Sequence, residues 1–308
     1  MDPLTAQTNP RPPSAAYREM LVLFPSGLAM VWLVAKAQWF WNHRPDLQFG
    51  WIVLLLCVYL LWEAWEKRPA FRGLWTIATG TLVGLALPLL FLVQIYQAAY
   101  GTNAASVAGL ALALMLLVAG NVGYAFGARG IYHFGFAFGF LLIALPMPSA
   151  LHNLVVGTLQ GKIAMLNVEI LNLIGVPARQ VGSLIRLPTC TVGVDEACSG
   201  IRSLQSTLMA TLFIGYLTLT RLGTKVWLVI AGIILAIVGN LLRSLFLSYT
   251  ANAKGLHALE TAHDTAGWSI LIFTAAGVTG LAWLLSRAER TSVRDPVPAT
   301  RLTARDQA

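Results

Sequence analysis

Residues 226–248 read VWLVIAGIILAIVGNLLRSLFLS. The run is long enough to cross a hydrocarbon core about 30 Å thick as one helix, which needs about 20 apolar residues. Comparable continuous runs recur through most of the chain, without the alternation typical of a transmembrane β-strand. Asn240 and Arg243 interrupt this run near its end, one helical turn apart. The stretch therefore predicts a membrane-spanning helix that carries two costly polar groups near one end.

The composition of the whole chain also indicates a membrane protein. Of its 308 residues 57% are hydrophobic and 11% are charged, and the mean hydropathy is +0.69. Soluble domains carry about 25% charged residues. The net charge of +8 is dispersed over loops and the C-terminal tail, without a basic helix or stacking aromatic residues, so no nucleic acid is expected as a partner. We expect an all-α, polytopic helical membrane protein.

About eight transmembrane helices are predicted, and a segment of different character separates the fifth from the sixth. In residues 149–175 apolar residues recur at three- and four-residue spacing between polar ones, which predicts an amphipathic helix at the interface or along a polar cavity. Residues 178–197 alternate in a strand-like way and predict a small extramembrane loop or hairpin that leads to Cys198. The predicted spans are residues 20–40, 50–65, 74–97, 104–126, 131–147, 202–220, 226–248 and 267–286.

Three reactive side chains are predicted to meet at one membrane face. Lys and Arg favour alternate loops and the tail, which places both termini in the cytoplasm. The start of the sixth span, the end of the seventh and the start of the eighth then lie outside. Cys198, Arg243 and His263 occupy these three positions. The group indicates a cysteine-nucleophile site at a membrane surface.

Each of these residues has a chemical and a structural interpretation. Cys198 near a helix N-terminus is favoured as a thiolate, but a thiol beside a glycine is also a common core residue. Arg243, with Asn240, has donors for an oxyanion, but an arginine near a helix end also snorkels to the interface. His263 is either a general acid/base or a loop histidine.

The other two cysteines and the lack of metal- or phosphate-binding motifs limit the kinds of site that the sequence predicts. Cys57 lies in an apolar run and is interpreted as an inert buried thiol. Cys190 and Cys198 could form a disulfide in an oxidising compartment, although pairing would remove the reactive thiol. The sequence contains no zinc-ligand spacing and no phosphate-binding glycine loop, so no metal or cofactor is expected.

The chain carries four motifs: Glu196-Ala197-Cys198-Ser199-Gly200-Ile201-Arg202-Ser203-Leu204, Asn240-x-x-Arg243, His263-x-x-x-Gly267-Trp268 and Leu145-Pro146-Met147-Pro148. Together these motifs resemble the exosortase/archaeosortase family, over about residues 135–285. The resemblance implies a membrane-embedded cysteine transpeptidase with Cys198 as nucleophile, Arg243 as transition-state stabiliser and His263 as acid/base. Glu196, Arg202 and Asn240 would have supporting roles.

The resemblance also implies substrates and a location. The enzyme would cleave secreted proteins that end in a short motif, one membrane span and a basic tail. It would pass them through a thioester to a lipid-linked acceptor, with its site facing the exterior of a prokaryotic cell membrane. The chain would divide into a disordered polar leader (1–16), N-terminal transmembrane helices (17–130), a catalytic core (131–286) and a basic cytoplasmic tail (287–308). The alternatives are a transporter or assembly factor for exported polysaccharide and a purely hydrolytic intramembrane protease.

Overall fold

The computed structural model describes residues 13–193 and 200–294, and these ranges are almost entirely helical. A single 3-10 turn, Leu142–Ala144, extends the fifth helix, and three short strands follow the sixth. The helices are α1 (Pro13–His43), α2 (Gly50–Glu66), α3 (Ile77–Tyr100), α4 (Ala104–Phe126), α5 (Ala128–Leu141), α6 (Ser149–Leu173), α7 (Ile201–Thr218), α8 (Leu222–Lys254) and α9 (Leu256–Arg294). The strands are β1 (Arg179–Val181), β2 (Leu184–Arg186) and β3 (Thr191–Gly193).

The helices confirm a polytopic helical membrane protein. Each predicted span coincides with one helix, namely α1–α5 and α7–α9. Among the described residues, six helices are long and apolar enough to cross a membrane: α1, α3, α4, α6, α8 and α9. The inclusion of α6 differs from the prediction of an amphipathic helix, because apolar residues fill most positions between its few polar side chains. The helices α2 and α5 are shorter.

The starts and ends of α3 and α4 follow from local sequence. Thr76 and Asn103 each accept a hydrogen bond from the backbone N–H three residues later and so form capping boxes. Gly101 and Gly127 end the two helices with φ values of 73° and 72°, which favour glycine. These signals allow α3 and α4 to form a closely packed helical hairpin.

The chain divides into two compact units, residues 1–153 and 154–308, with the boundary inside α6. In the described part of the first unit, α4 packs on α1, α3 and α5, and α2 packs on α5. The indole of Trp41 is buried and donates to the carbonyl of Ala144 over 2.7 Å. The predicted boundary at 130/131 stays a prediction.

In the second unit, α7 and α9 both pack against α8. Gly232 of α8 faces Thr211 of α7, and Gly277 of α9 faces Leu235 of α8. A side chain at either glycine would overlap its neighbour, so small residues bring the helix backbones close together. This close packing fixes which turns of α8 lie beside the ends of α7 and α9.

The three strands form an antiparallel meander in the order β1-β2-β3. Ile185 of β2 pairs with Val192 of β3, and both are buried in one cluster with Leu171 of α6 and Ala251 of α8. Residues 179–193 of the predicted loop or hairpin thus form three strands, and residues 194–197 lie outside the described residues. The meander therefore anchors the chain on α6 and α8 just before the segment that leads to α7.

Candidate active site

Arg243 of α8 and His263 of α9 meet through their side chains. The distance from Arg243 Nη2 to His263 Nε2 is 3.1 Å, and both residues are half-buried. A guanidinium has only donors, so Nε2 accepts this bond and Nδ1 carries the proton of the neutral imidazole. The structure thus brings together two of the three residues predicted to be catalytic, from positions twenty residues apart.

Gly267 lies one helical turn after His263 and provides space beside the guanidinium. A Cβ at this position would lie 3.6 Å from Arg243 Nη2. A longer side chain would therefore compete with the guanidinium for its position. Trp268, the next residue of the motif, is 67% exposed. The position of the Arg243 side chain thus explains why the motif has a glycine at residue 267. Trp268 is not part of the contact between Arg243 and His263.

The start of α7 reaches the same turn of α8. Gly200 has a φ of 83°, and a Cβ there would lie 2.6 Å from the side-chain amide atoms Cγ and Nδ2 of Asn240. Asn240 is only 2% exposed and lies one turn before Arg243. Glycine is required at this position for the left-handed backbone and for the close packing. This contact, which the sequence analysis did not predict, places the start of α7 beside the Asn240–Arg243 turn.

Two predicted site residues, Cys198 and Glu196, lie outside the described residues. Arg202 is exposed in the first turn of α7 and makes no hydrogen bond or ion pair within the described parts of the chain. Cys57 is a buried free thiol whose Sγ donates to the carbonyl of Ala137 over 3.2 Å, and Cys190 is a half-buried free thiol. In residues 13–193 and 200–294, no three His, Cys, Asp or Glu residues are grouped as they would be to hold a metal ion.

A buried polar stripe extends from Asn240 along α8. Ser244 and Ser248 follow at four-residue spacing, and Asn167 of α6 donates from Nδ2 to Ser244 Oγ over 2.6 Å. Asn167 is fully buried, and its Oδ1 has no hydrogen-bond partner within the described part of the structure. In the sequence, Asn167 is one of the polar residues that separate the apolar positions of residues 149–175. The four-residue spacing of Asn240, Ser244 and Ser248 is the signal that could have identified the stripe.

Comparison with known proteins gives one match. The family model for transmembrane exosortase (Exosortase_EpsH) matches residues 41–280. This range includes Cys198, Asn240, Arg243 and His263 and runs through both compact units. No curated protein and no solved structure matched the chain. Because the matched range is well over half of the sequence, the chain belongs to the transmembrane exosortase family.

Proposed function

We propose that the chain is a membrane-embedded cysteine transpeptidase that uses Cys198, Arg243 and His263. The hydrogen bond between Arg243 and His263, beside the turn where Gly200 packs on Asn240, carries the proposal. Only Ser199 separates Cys198 from Gly200, so their Cα atoms are at most about 7 Å apart. Under this proposal the thiol acts together with the guanidinium and the imidazole.

The first step forms a tetrahedral intermediate in which the substrate is bonded to the sulfur of Cys198. His263 takes the proton of the Cys198 thiol, and the thiolate attacks the carbonyl carbon of the scissile peptide bond. The carbonyl electron pair moves to oxygen, and Arg243 donates N–H groups to this oxyanion. The half-buried position of the guanidinium strengthens the interaction, since charges attract more strongly away from bulk water.

The second step breaks the carbon–nitrogen bond. The leaving nitrogen takes a proton from the His263 imidazolium, and the acyl group remains on Cys198 as a thioester. In the resting geometry Arg243 donates to His263 Nε2. We expect the guanidinium to turn from Nε2 towards the substrate carbonyl oxygen when the substrate binds, which frees Nε2 to take the thiol proton in the first step and to deliver it in the second.

The third step transfers the acyl group. An amine or hydroxyl of the acceptor attacks the thioester carbon, its proton passes to His263, and Cys198 leaves as a thiolate. Limited access of water near the membrane favours transfer over hydrolysis. The proposed substrates are secreted proteins with a C-terminal motif, one span and a basic tail. The proposed acceptor is lipid-linked, and the site faces the exterior, with both termini in the cytoplasm.

The test is to co-express a secreted substrate that has a C-terminal membrane span with the wild-type protein or its variants. Intact mass spectrometry then identifies the new C-terminus of the substrate. We expect Cys198→Ala to abolish cleavage and Cys190→Ala, the matched thiol control, to leave it unchanged. The wild-type product should carry the mass of an acceptor. A free carboxyl terminus that still depends on Cys198 would show a hydrolytic protease. Equal processing by wild type and Cys198→Ala would refute the mechanism.

A further inference from the structure

The first unit contains an apolar cavity between α1, α2, α4 and α5. Its volume is about 230 Å³, and its walls include Leu23, Met30, Leu61 and Phe134. An engineered apolar cavity of about 150 Å³ stays dry and binds benzene, so this cavity is large enough for a hydrocarbon ligand. Gly27 lines it and is exposed, so the cavity opens at the surface of α1.

The hydroxyl in the cavity wall already has a hydrogen-bond partner. Ser26, which lines the cavity, accepts a hydrogen bond of 2.8 Å from Asn121 Nδ2. The same Nδ2 also donates to the carbonyl of Val22 over 2.9 Å. A ligand in the cavity would therefore gain little from polar atoms there. The wall favours a hydrocarbon chain.

Basic side chains lie at one end of the cavity. Arg68 stacks 4.2 Å above the ring of Trp65, a wall residue, and is held by Glu19 through a buried ion pair of 2.7 Å. Arg18 lies 5.3 Å from the ring of Phe71, and Arg72 follows Phe71 in the chain. The arginines thus surround two aromatic rings at this end.

The charges at this end do not cancel. Arg18, Arg72 and Arg129 are exposed, and none of them forms an ion pair within the described residues. Two of the carboxylates here are already paired, Glu19 with Arg68 and Glu63 with Lys67. Among the carboxylates of residues 63–72 only Glu66 is exposed, whereas the exposed guanidinium groups at this end are those of Arg18, Arg72 and Arg129. The surplus is cationic and complements an anionic ligand.

The spacing along the helices matches the dimensions of a lipid. Leu23 and Met30 lie five and twelve residues after Arg18 on α1, which corresponds to about 8 and 18 Å. On α5, Phe134 lies five residues after Arg129, again about 8 Å. One leaflet contributes about 15 Å of hydrocarbon. With the guanidinium groups at the level of phosphate, the cavity lies at the level of the acyl chains.

We infer that this cavity binds one acyl chain of an anionic phospholipid, with the lipid phosphate at Arg18 and Arg72. The apolar wall selects the chain and the cationic surplus selects the headgroup. The site uses residues of the first unit and none of the residues assigned to the peptidase chemistry. It therefore stands whether or not the transpeptidase mechanism is correct.

The direct test uses the purified full-length protein and a phosphatidylglycerol with a photoreactive diazirine in its acyl chain. After irradiation, peptide mass spectrometry should locate the adducts on residues 23–30, 61–65 and 134–138. Unlabelled phosphatidylglycerol should compete at least tenfold better than phosphatidylcholine with the same chains, and inorganic phosphate should not compete. Adducts spread evenly over all lipid-facing helices, or equal competition by both lipids, would overturn the inference.

Two pairs of variants separate the contributions of the chain and the headgroup. Gly27→Phe should block the cavity opening and remove the adducts, whereas Gly84→Phe, at an exposed glycine of α3, should keep them. The double variant Arg18→Gln/Arg72→Gln should need at least tenfold more phosphatidylglycerol for the same competition, whereas Arg290→Gln should not. If Gly27→Phe fails to fold, the wild-type adduct map and lipid competition still decide. Unchanged adducts in a folded Gly27→Phe variant would contradict the cavity as the binding site.

Discussion

At the residue scale, the contact between Gly200 and Asn240 joins the start of α7 to the turn of α8 that carries Arg243. Gly200 meets two requirements, a φ of 83° and the absence of a Cβ near the amide of Asn240. The first requirement alone disfavours a side chain by about 1–2 kcal/mol. Cys198, the proposed nucleophile, lies only two residues before Gly200 in the sequence.

We therefore predict that Gly200→Ala lowers the free energy of unfolding by about 1–3 kcal/mol, from backbone strain and overlap with Asn240. Thermal unfolding of the purified variant in detergent measures the loss, and substrate processing should fall with it. Gly161→Ala is the matched control, since a Cβ there meets nothing within 4 Å on the helical α6. A Gly200→Ala variant as stable as Gly161→Ala would show that the close packing is not required.

Some residue contacts could be predicted from the sequence and others could not. The proximity of Arg243 and His263 follows from counting spans, because the end of one helix and the start of the next must share a face. The contacts of Asn240 with Gly200 and of Asn167 with Ser244 depend on the rotation of α6 and α7 about their axes. No local pattern sets that rotation, since neighbouring helices and not water select the buried face.

At the element scale, α8 is held at its start by a carboxylate from α9. Glu289 is 7% exposed and accepts hydrogen bonds from the backbone N–H groups of Thr220 and Arg221, over 2.9 and 3.1 Å. The hydroxyls of Thr220 and Thr224 donate to the same carboxylate. These N–H groups lie at the N-terminal end of α8, where a negative charge is favourable. The carboxylate therefore fixes α9 against the end of α8 opposite Arg243.

Replacement of Glu289 with Gln should destabilise the protein by about 1–3 kcal/mol. The amide keeps the size of the side chain but loses the charge and half of its acceptor capacity, so buried donors lose partners. Thermal unfolding of the purified variant checks this value. Glu66→Gln, at an exposed carboxylate of α2, is the control and should change stability by less than about 0.5 kcal/mol. Equal effects of the two substitutions would contradict the capping role.

The positions of the helices and strands were easier to predict from the sequence than the surroundings of their side chains. Length and apolarity place all eight predicted spans on helices, and alternation in 178–197 predicts the strands. The character of α6 was less predictable, because its polar residues Asn153, Gln160, Asn167 and Glu169 suggest an interfacial helix. Asn167 is in fact fully buried against Ser244, so a polar residue here marks a helix contact and not a solvent-facing side.

At the scale of the whole molecule, the proposed chemistry requires one orientation in the membrane. In α8, Arg221 and Lys225 lie at the start, and the Arg243 turn lies towards the end that finishes at Lys254. Basic residues favour the cytoplasmic side, so the start of α8 should be inside. The proposed site would then face the exterior, where secreted substrates are available.

This orientation can be tested with single cysteines in a variant whose three native cysteines are replaced by alanine. Lys254→Cys and Gly223→Cys place exposed thiols at opposite ends of α8. We expect a membrane-impermeant maleimide to label Lys254→Cys in right-side-out vesicles and Gly223→Cys only in inverted vesicles, because one membrane separates the two ends. Labelling of both variants after detergent solubilisation controls for thiol accessibility. The reverse pattern would place the Arg243–His263 pair on the cytoplasmic side, where the enzyme could not act on exported proteins.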